Sequence, residues 1–420
     1  MAGLFQVFFW LSRDNLVTLN ENSFEKIESL SYSPFEGYDK NLLSSEQIAY
    51  DVNLFENFTN KLRTYGTLEA YKILQSSKDS NLPIDLGLWI GGDLEANNLE
   101  IQRALEILKE YPNRIQSVIV GNEVLLRKEL EPLELYAYID FMKSHTKKPV
   151  TTAETWDIWE KNPQLASHVD FLTIHILPYW EKVPIEKYNE FIIEKYSVVE
   201  ELFPNRKIVI GETGWPSHGY NNNSAIPSIK NQAQAIRGFV NLAHEKGWHY
   251  NIIEALDQPW KGYDEGNVGQ YWGIFTTDRA LKFQLAGEVE LNKYWLYQMI
   301  AAIIIGALLT LFGLKNQRVN ISHAFAYAIA AQGMAFGIVM AAIYPFVNYM
   351  NFGMWIMWGM GSFLMIPLVI ITLAKANELF RSSIGVQPSR LVPLDLKSKN
   401  APLVSIHVPA YKEQPHVLAE

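Results

Sequence analysis

A chain of 420 residues with 48% apolar and 19% charged residues is long enough for one large domain and more, and too apolar to be disordered. Its formal charge of −9, with no basic stripe, argues against nucleic acid as a partner, and zero cysteines exclude disulfides and thiolate metal sites. The nine histidines show no HExxH or paired spacing, so no catalytic metal is expected.

Residues 1–25 open on MAGLFQVFFWLS, an apolar lead of about half the ~20 residues that span a bilayer. It has no basic start and no small-residue cleavage site. Two readings stand: the remnant of an N-terminal anchor, or a lead-in that packs on the domain that follows.

Residues 26–287 alternate short apolar strands with helical stretches. Strands are predicted around Leu30, Arg63, Leu88, Val118, Val150, Leu172, Val209 and Ile253. Their mean step of about 32 residues is that of a βα unit, so the fold class is α/β, an eight-stranded (β/α)8 TIM barrel. Apolar residues at three-to-four spacing predict helices over Glu46–Leu62, Leu99–Tyr111, Leu133–His145, Ile185–Leu202 and Ser228–Lys246.

Functional groups of such a barrel lie at the C-terminal ends of its strands, and two glutamates stand there. Glu123 follows Val118, Ile119 and Val120 through Gly121-Asn122, on the fourth strand. Glu212 follows Ile208, Val209 and Ile210 through Gly211, on the seventh. A lone strand-end glutamate usually caps a loop or pairs with an arginine. Two with one grammar, the second beside Trp215, point instead to sugar chemistry, which needs two carboxyl groups.

The wording GNEVL with GETGWPS resembles family 17 glycoside hydrolases, the β-1,3-glucanases and glucanosyltransferases. Further matches are SYSPF on the first strand, RTYG on the second and DQPWKG after the eighth. The resemblance implies Glu212 as nucleophile and Glu123 as acid/base of a retaining enzyme, with no cofactor. Such an acid is expected to hold its proton to higher pH than Glu212. It also implies Asn122 at the sugar 2-hydroxyl, Tyr179 reaching toward the nucleophile, Trp180 and Trp215 as stacking faces, and Tyr65 and Lys261 as further substrate contacts. Three positions depart from the family pattern: His175 replaces Asn, Leu177 replaces Tyr, and Gln258 replaces Glu. They leave the two glutamates intact.

Residues 290–374 hold three uncharged apolar runs, Tyr294 to Leu314, Ala324 to Val347 and Phe352 to Leu373, each long enough to span. Lys315 and Arg318 lie between the first two, and Lys375, Arg381, Arg390 and Lys397 follow the last. The positive-inside rule then places a linker, residues 375–400, in the cytoplasm and the barrel outside.

The end of the chain, residues 401–420, carries VSIHVPAYKE, which resembles the opening strand of family 2 glycosyltransferases, cut off at Glu420. That order of parts resembles bacterial membrane proteins that make and remodel β-glucan. It implies a multi-pass inner-membrane protein with a periplasmic or extracellular barrel. Its partners would be a β-glucan oligo- or polysaccharide, membrane lipid and a transferase domain or subunit. Two rivals stand beside this reading: a protein that is chiefly a glycosyltransferase with an accessory barrel, and a non-catalytic glucan-binding scaffold.

Overall fold

The computed structural model describes residues 2–13, 16–19, 26–315 and 317–385. Eight parallel strands close into a barrel: β1 (Leu30–Ser31), β2 (Leu62–Arg63), β3 (Ile84–Leu88), β4 (Ile115–Asn122), β5 (Val150–Thr155), β6 (Leu172–His175), β7 (Ile208–Thr213) and β8 (His249–Ile252). Each pairs with its neighbours in sequence, and Ile252 against Leu30 closes the ring. The eight predicted strands are all present, with Ile253 falling just past β8. Strands β3 and β6 are buried along their whole length, as expected where helices cover one side and the barrel interior fills the other.

The helices of the barrel are α2 (Ser45–Phe55), α3 (Thr67–Ser76), α4 (Leu94–Glu110), α5 (Pro132–His145), α6 (Trp156–Lys161), α7 (Tyr188–Leu202) and α8 (Ile229–Lys246). Local chemistry sets their ends. The Ser44, Asp93 and Ser228 side chains accept from the first free N–H groups of α2, α4 and α8, and Gly247, at φ 68°, closes α8 in the left-handed conformation. The predicted helix Glu46–Leu62 stops at Phe55 because Leu62 and Arg63 are needed as β2, paired with β1 and β3. Helices α3 and α6 were not expected. They are short, and Thr67 and Trp156 follow the strand ends almost directly.

Three further helices follow: α9 (Trp295–Leu314), α10 (Ile321–Val347) and α11 (Phe352–Ser383), each long and apolar enough to cross a membrane. α11 runs on through Lys375 and Arg381, so the first part of the expected linker is helical. The transferase-like segment 401–420 lies outside the described residues.

Within the apolar lead, α1 (Gly3–Leu11) packs on α9 and α10. Trp10 is fully buried against Ala302 and Val339. The Gln6 amide donates to the Gln332 carbonyl at 2.5 Å. After α1, Leu16–Thr18 pairs antiparallel with Glu288–Glu290, which ties the lead to the segment between barrel and spans.

Candidate active site

Glu123 is delivered by a sharp turn at the end of β4. Gly121 sits at φ 82°, and a Cβ there would lie 2.5 Å from Val124 Cγ2, so only glycine fits. Glu123 itself is held at φ 54°, a left-handed conformation that an L side chain rarely takes. Neighbouring strands fix it: Glu123 N–H donates to the Ala153 carbonyl at 2.7 Å, and Glu154 of β5 accepts the N–H groups of Leu125 (2.8 Å) and Leu126 (3.3 Å). Backbone strain of this sort persists where the surroundings over-determine it, which is common at functional sites.

Glu212 sits in β7 in register with His175 of β6. Between them the chain needs Gly211. A Cβ at that residue would meet Thr173 Cγ2 at 2.4 Å and the His175 ring at 3.1 Å. The two glutamates, three strands apart around the barrel, converge with His175 so that one donor atom from each lies within 4.8 Å of the others.

Two residues stand between the carboxylates. His175, whose side chain is fully buried, places Nδ1 2.7 Å from Glu123 Oε1 and Nε2 3.6 Å from Glu212 Oε1. Arg63, at the end of β2, directs Nη1 to Glu212 Oε1 (3.3 Å) and the Gly211 carbonyl (2.5 Å), and Nη2 to Asn122 Oδ1 (2.6 Å). Glu123, His175 and Glu212 form a set of donors that could hold a cation. The cation among them is the Arg63 guanidinium, within 3.4 Å of His175 Nε2 through both terminal nitrogens.

The charges act differently from expectation on Glu123. Burial pushes its carboxyl up, but the hydrogen bond and charge of His175, with Arg127 and Arg63, outweigh burial and hold it below the usual value. An acid that keeps its proton by burial and by repulsion from Glu212 alone is therefore not what the site contains. The difference comes from His175, where an Asn was expected. Glu154, behind this pair, is pushed up to about 7, chiefly by burial.

The glutamates open on a cavity of about 700 Å³, walled also by Trp156, Trp180, Trp272, Leu177 and Glu265. The Glu123 side chain is 22% exposed and Glu212 6%, so both reach it. Trp180, 36% exposed, lines the cavity. Burial raises the Glu265 carboxyl, against the pull of Lys261, so a third acid faces the same space.

Other expected contacts lie elsewhere. Trp215 is 0% exposed, packs edge-on against Tyr179 and Tyr188, and gives its indole N–H to the Ile226 carbonyl. Tyr179 is equally buried, and its hydroxyl donates to the Tyr220 carbonyl at 2.6 Å. Both belong to the aromatic wall behind the cavity, which corrects the expectation that Trp215 offers a stacking face. Lys261 is buried in an ion pair with Glu254 at 2.8 Å, so its ammonium supports the wall and does not reach the cavity. Tyr65 is half-buried, with Arg63 over its ring and its hydroxyl on Ser31 Oγ. Asn122 is half-buried too, its Oδ1 taken by Arg63.

Arg63, Glu154, Glu265, Trp156 and Trp272 were not singled out in the sequence. Only Arg63 carried a signal there, as the last residue of β2 inside RTYG.

Comparisons with known proteins agree with the barrel fold. Residues 29–273 match the BtgE/BtgC glycoside hydrolase domain. The chain is 27% identical over 255 residues to the glucan 1,3-beta-glucosidase of Schizosaccharomyces pombe, covering 56% of this chain and 79% of that protein. Among solved structures, the glycoside hydrolase family 17 β-1,3-glucanosyltransferase of Rhizomucor miehei aligns over 62% of this chain and 98% of its own, with a TM-score of 0.57 and 24% identity. An active-site mutant of the Rhizomucor miehei β-1,3-glucanosyltransferase, in complex with laminaritriose, aligns over 62% and 97%, with a TM-score of 0.56 and 24% identity. At that identity the likeness is one of fold: an eight-stranded barrel. With the domain match covering more than half of its length, the chain belongs to the BtgE/BtgC glycoside hydrolase domain family.

Proposed function

We propose that the barrel is a retaining β-1,3-glucan hydrolase or transglycosylase, held at a membrane by α9, α10 and α11. One observation carries the mechanism: oxygens of Glu123 and Glu212 lie within 4.8 Å of each other. A retaining pair of carboxyl groups is about 5–5.5 Å apart, whereas an inverting pair needs roughly 6.5–9.5 Å to admit a water between base and sugar. The separation favours attack by the enzyme itself.

In this reading Glu212 is the nucleophile. It is the deeper of the two carboxylates, with the Arg63 guanidinium beside it. Glu123, more open to the cavity, gives a proton to the leaving oxygen and then takes one from the acceptor. That acceptor is water in hydrolysis and a sugar hydroxyl in transfer. Trp180 and Trp272 border the space where glucose rings would lie. The β-1,3 linkage is taken from the names of the related proteins. Lys315, Arg318, Lys375 and Arg381 favour a barrel on the non-cytoplasmic side, where the partner is a glucan chain already made and lipid surrounds the spans.

The test is chemical rescue. Glu212→Ala should lose turnover, with azide restoring it to give an α-glycosyl azide. Glu123→Ala should still react with substrates that have good leaving groups, with azide giving the β-product. The opposite pattern would exchange the two roles, and no rescue in either variant would refute both assignments.

A further inference from the structure

His175 touches both members of the candidate pair and is not accounted for by the roles above. We propose that His175 and Glu123 work as one proton-holding pair, in which the imidazole keeps the proton at rest that the carboxyl hands to the leaving oxygen. The proposal rests on the retaining reading just given. Its geometric basis is the 2.7 Å contact from Nδ1 to Glu123 Oε1 inside a fully buried side chain.

The groups that face this pair come from every neighbouring strand end. Glu212 of β7 lies 3.6 Å from Nε2, and its Oε1, already in an ion pair with Arg63 at 3.3 Å, adds a negative charge on that side of the ring. Arg63 of β2 brings both terminal nitrogens to Nε2, at 3.3 and 3.4 Å, and its charge opposes an imidazolium where Glu123 and Glu212 favour one, but its shorter bonds go to the Gly211 carbonyl and Asn122 Oδ1. Glu154 of β5 lies behind and interacts electrostatically with both His175 and Glu123. Arg127 and Glu265 act on Glu123 from the loops. An imidazolium with a carboxylate and a neutral imidazole with a carboxylic acid carry the same charge, so moving the proton within the pair leaves the balance with Glu212 and Arg63 unaltered. A carboxyl held low by its partner can still serve as an acid this way, because the proton waits 2.7 Å away.

The chemistry balances over two steps. In the first, a Glu212 oxygen forms a bond to the anomeric carbon with its own electron pair. The glycosidic bond breaks, its electrons go to the leaving oxygen, and that oxygen takes the pair's one labile proton. Neutral His175 and ionised Glu123 remain. In the second step, water or a sugar hydroxyl gives a proton to the pair and bonds to the anomeric carbon, releasing the Glu212 carboxylate. His175 acts through Glu123 and is a positioning residue.

The experiment uses the full chain in detergent, with phenyl and 2,4-dinitrophenyl β-laminaribiosides as probes. His175→Asn keeps a hydrogen-bond donor and removes the second proton site. For the phenyl glycoside, the basic limb of kcat/KM should move at least one pH unit lower. For the dinitrophenyl glycoside, whose first step needs no acid, the same substitution should leave the pH profile of kcat/KM unshifted. A uniform fall at all pH with an unmoved limb would mean a structural role only and overturn the pair. Independently of any substrate, the ring 15N signals of His175 should titrate at a pH at least one unit different in Glu123→Gln and in wild type. An unchanged titration overturns the pair as well. A wild type that cleaves neither glycoside while the 15N signals remain coupled would sink the glucan reading and leave the pair standing.

Discussion

Arg63 Nη1 lies 3.3 Å from Glu212 Oε1, and the same guanidinium bonds the residue before each glutamate: the Gly211 carbonyl ahead of Glu212 and the Asn122 side chain ahead of Glu123. One buried cation from β2 thus fixes the ends of β4 and β7 relative to each other. Its fork-shaped set of donors is what allows three acceptors in three directions, and a lysine ammonium on a flexible stem would not match it.

Arg63→Lys should therefore keep the charge and lose the register of the two carboxylates. A fall in kcat of about 10²-fold is expected, the usual cost of a misplacement near 1 Å. Arg63→Ala should in addition destabilise the barrel by about 3–5 kcal/mol, because Glu212 would be left buried without its partner. Steady-state kinetics and denaturant unfolding of both variants check this. A lysine variant with wild-type kcat would show that charge alone suffices.

The aromatic residues divide by exposure, and their variants should divide in the same way. Trp180→Ala should raise KM for laminari-oligosaccharides by about 3- to 10-fold, with little change in stability, since a stacking face is worth ~0.5–1.5 kcal/mol. Trp215→Ala should cost about 3–5 kcal/mol of stability, the range for emptying a buried aromatic site. Thermal melts beside KM values separate the two. A Trp215→Ala enzyme of normal stability and raised KM would return that residue to the substrate.

Glu154 ties stability to pH. Its carboxyl is pushed from an ordinary 4.5 to about 7, burial being the main cause. The folded chain then binds a proton that the unfolded chain has released, so this contribution is whole below about pH 4.5 and is lost as pH rises to about 7. The loss is on the order of 3 kcal/mol. Glu123, held low, acts in the opposite sense and only as pH falls below about 4.5. Melting of the full chain in detergent should show the decline between pH 4.5 and 7 shrink in Glu154→Gln. An identical slope in both proteins would mean that Glu154 does not titrate in this range.

What could be read from the sequence follows from what is local. The β-branched runs of β4 and β7 announce strands and place Glu123 and Glu212 at their ends, and the apolar runs of α9 to α11 announce spans. The two-residue strands β1 and β2 have no periodicity of their own, and only the motif around each marks them. Trp215 was read as a stacking face because an aromatic beside a strand end can stack on a sugar or, like its buried neighbour Tyr179, fill a wall. What decides between these is a distant carbonyl, Tyr220 or Ile226. The contacts Arg63–Asn122 and His175–Glu123 join residues 59 and 52 positions apart, and nothing in either short segment announces the other.

The last prediction concerns which side of the membrane the barrel occupies. If α9, α10 and α11 each cross a membrane, they alternate in direction, and the link between α10 and α11 then lies on the side of the barrel. Consistently, Tyr349 of that link packs edge-on to Tyr220 of the loop after β7, ring centroids 6.2 Å apart. Lys315, Arg318, Lys375 and Arg381 gather at the opposite end, and such residues stay cytoplasmic. Because the chain contains no cysteine, single cysteines can be labelled without background. Cysteines placed by Asn221→Cys and Asn348→Cys should react with an impermeant maleimide on intact cells or spheroplasts, and one placed by Ser383→Cys only after lysis. Labelling of Asn221→Cys and Asn348→Cys on different sides would break the three-span arrangement. Labelling of Ser383→Cys alone before lysis would turn the whole protein over, putting the cavity among nucleotide sugars and away from exported glucan.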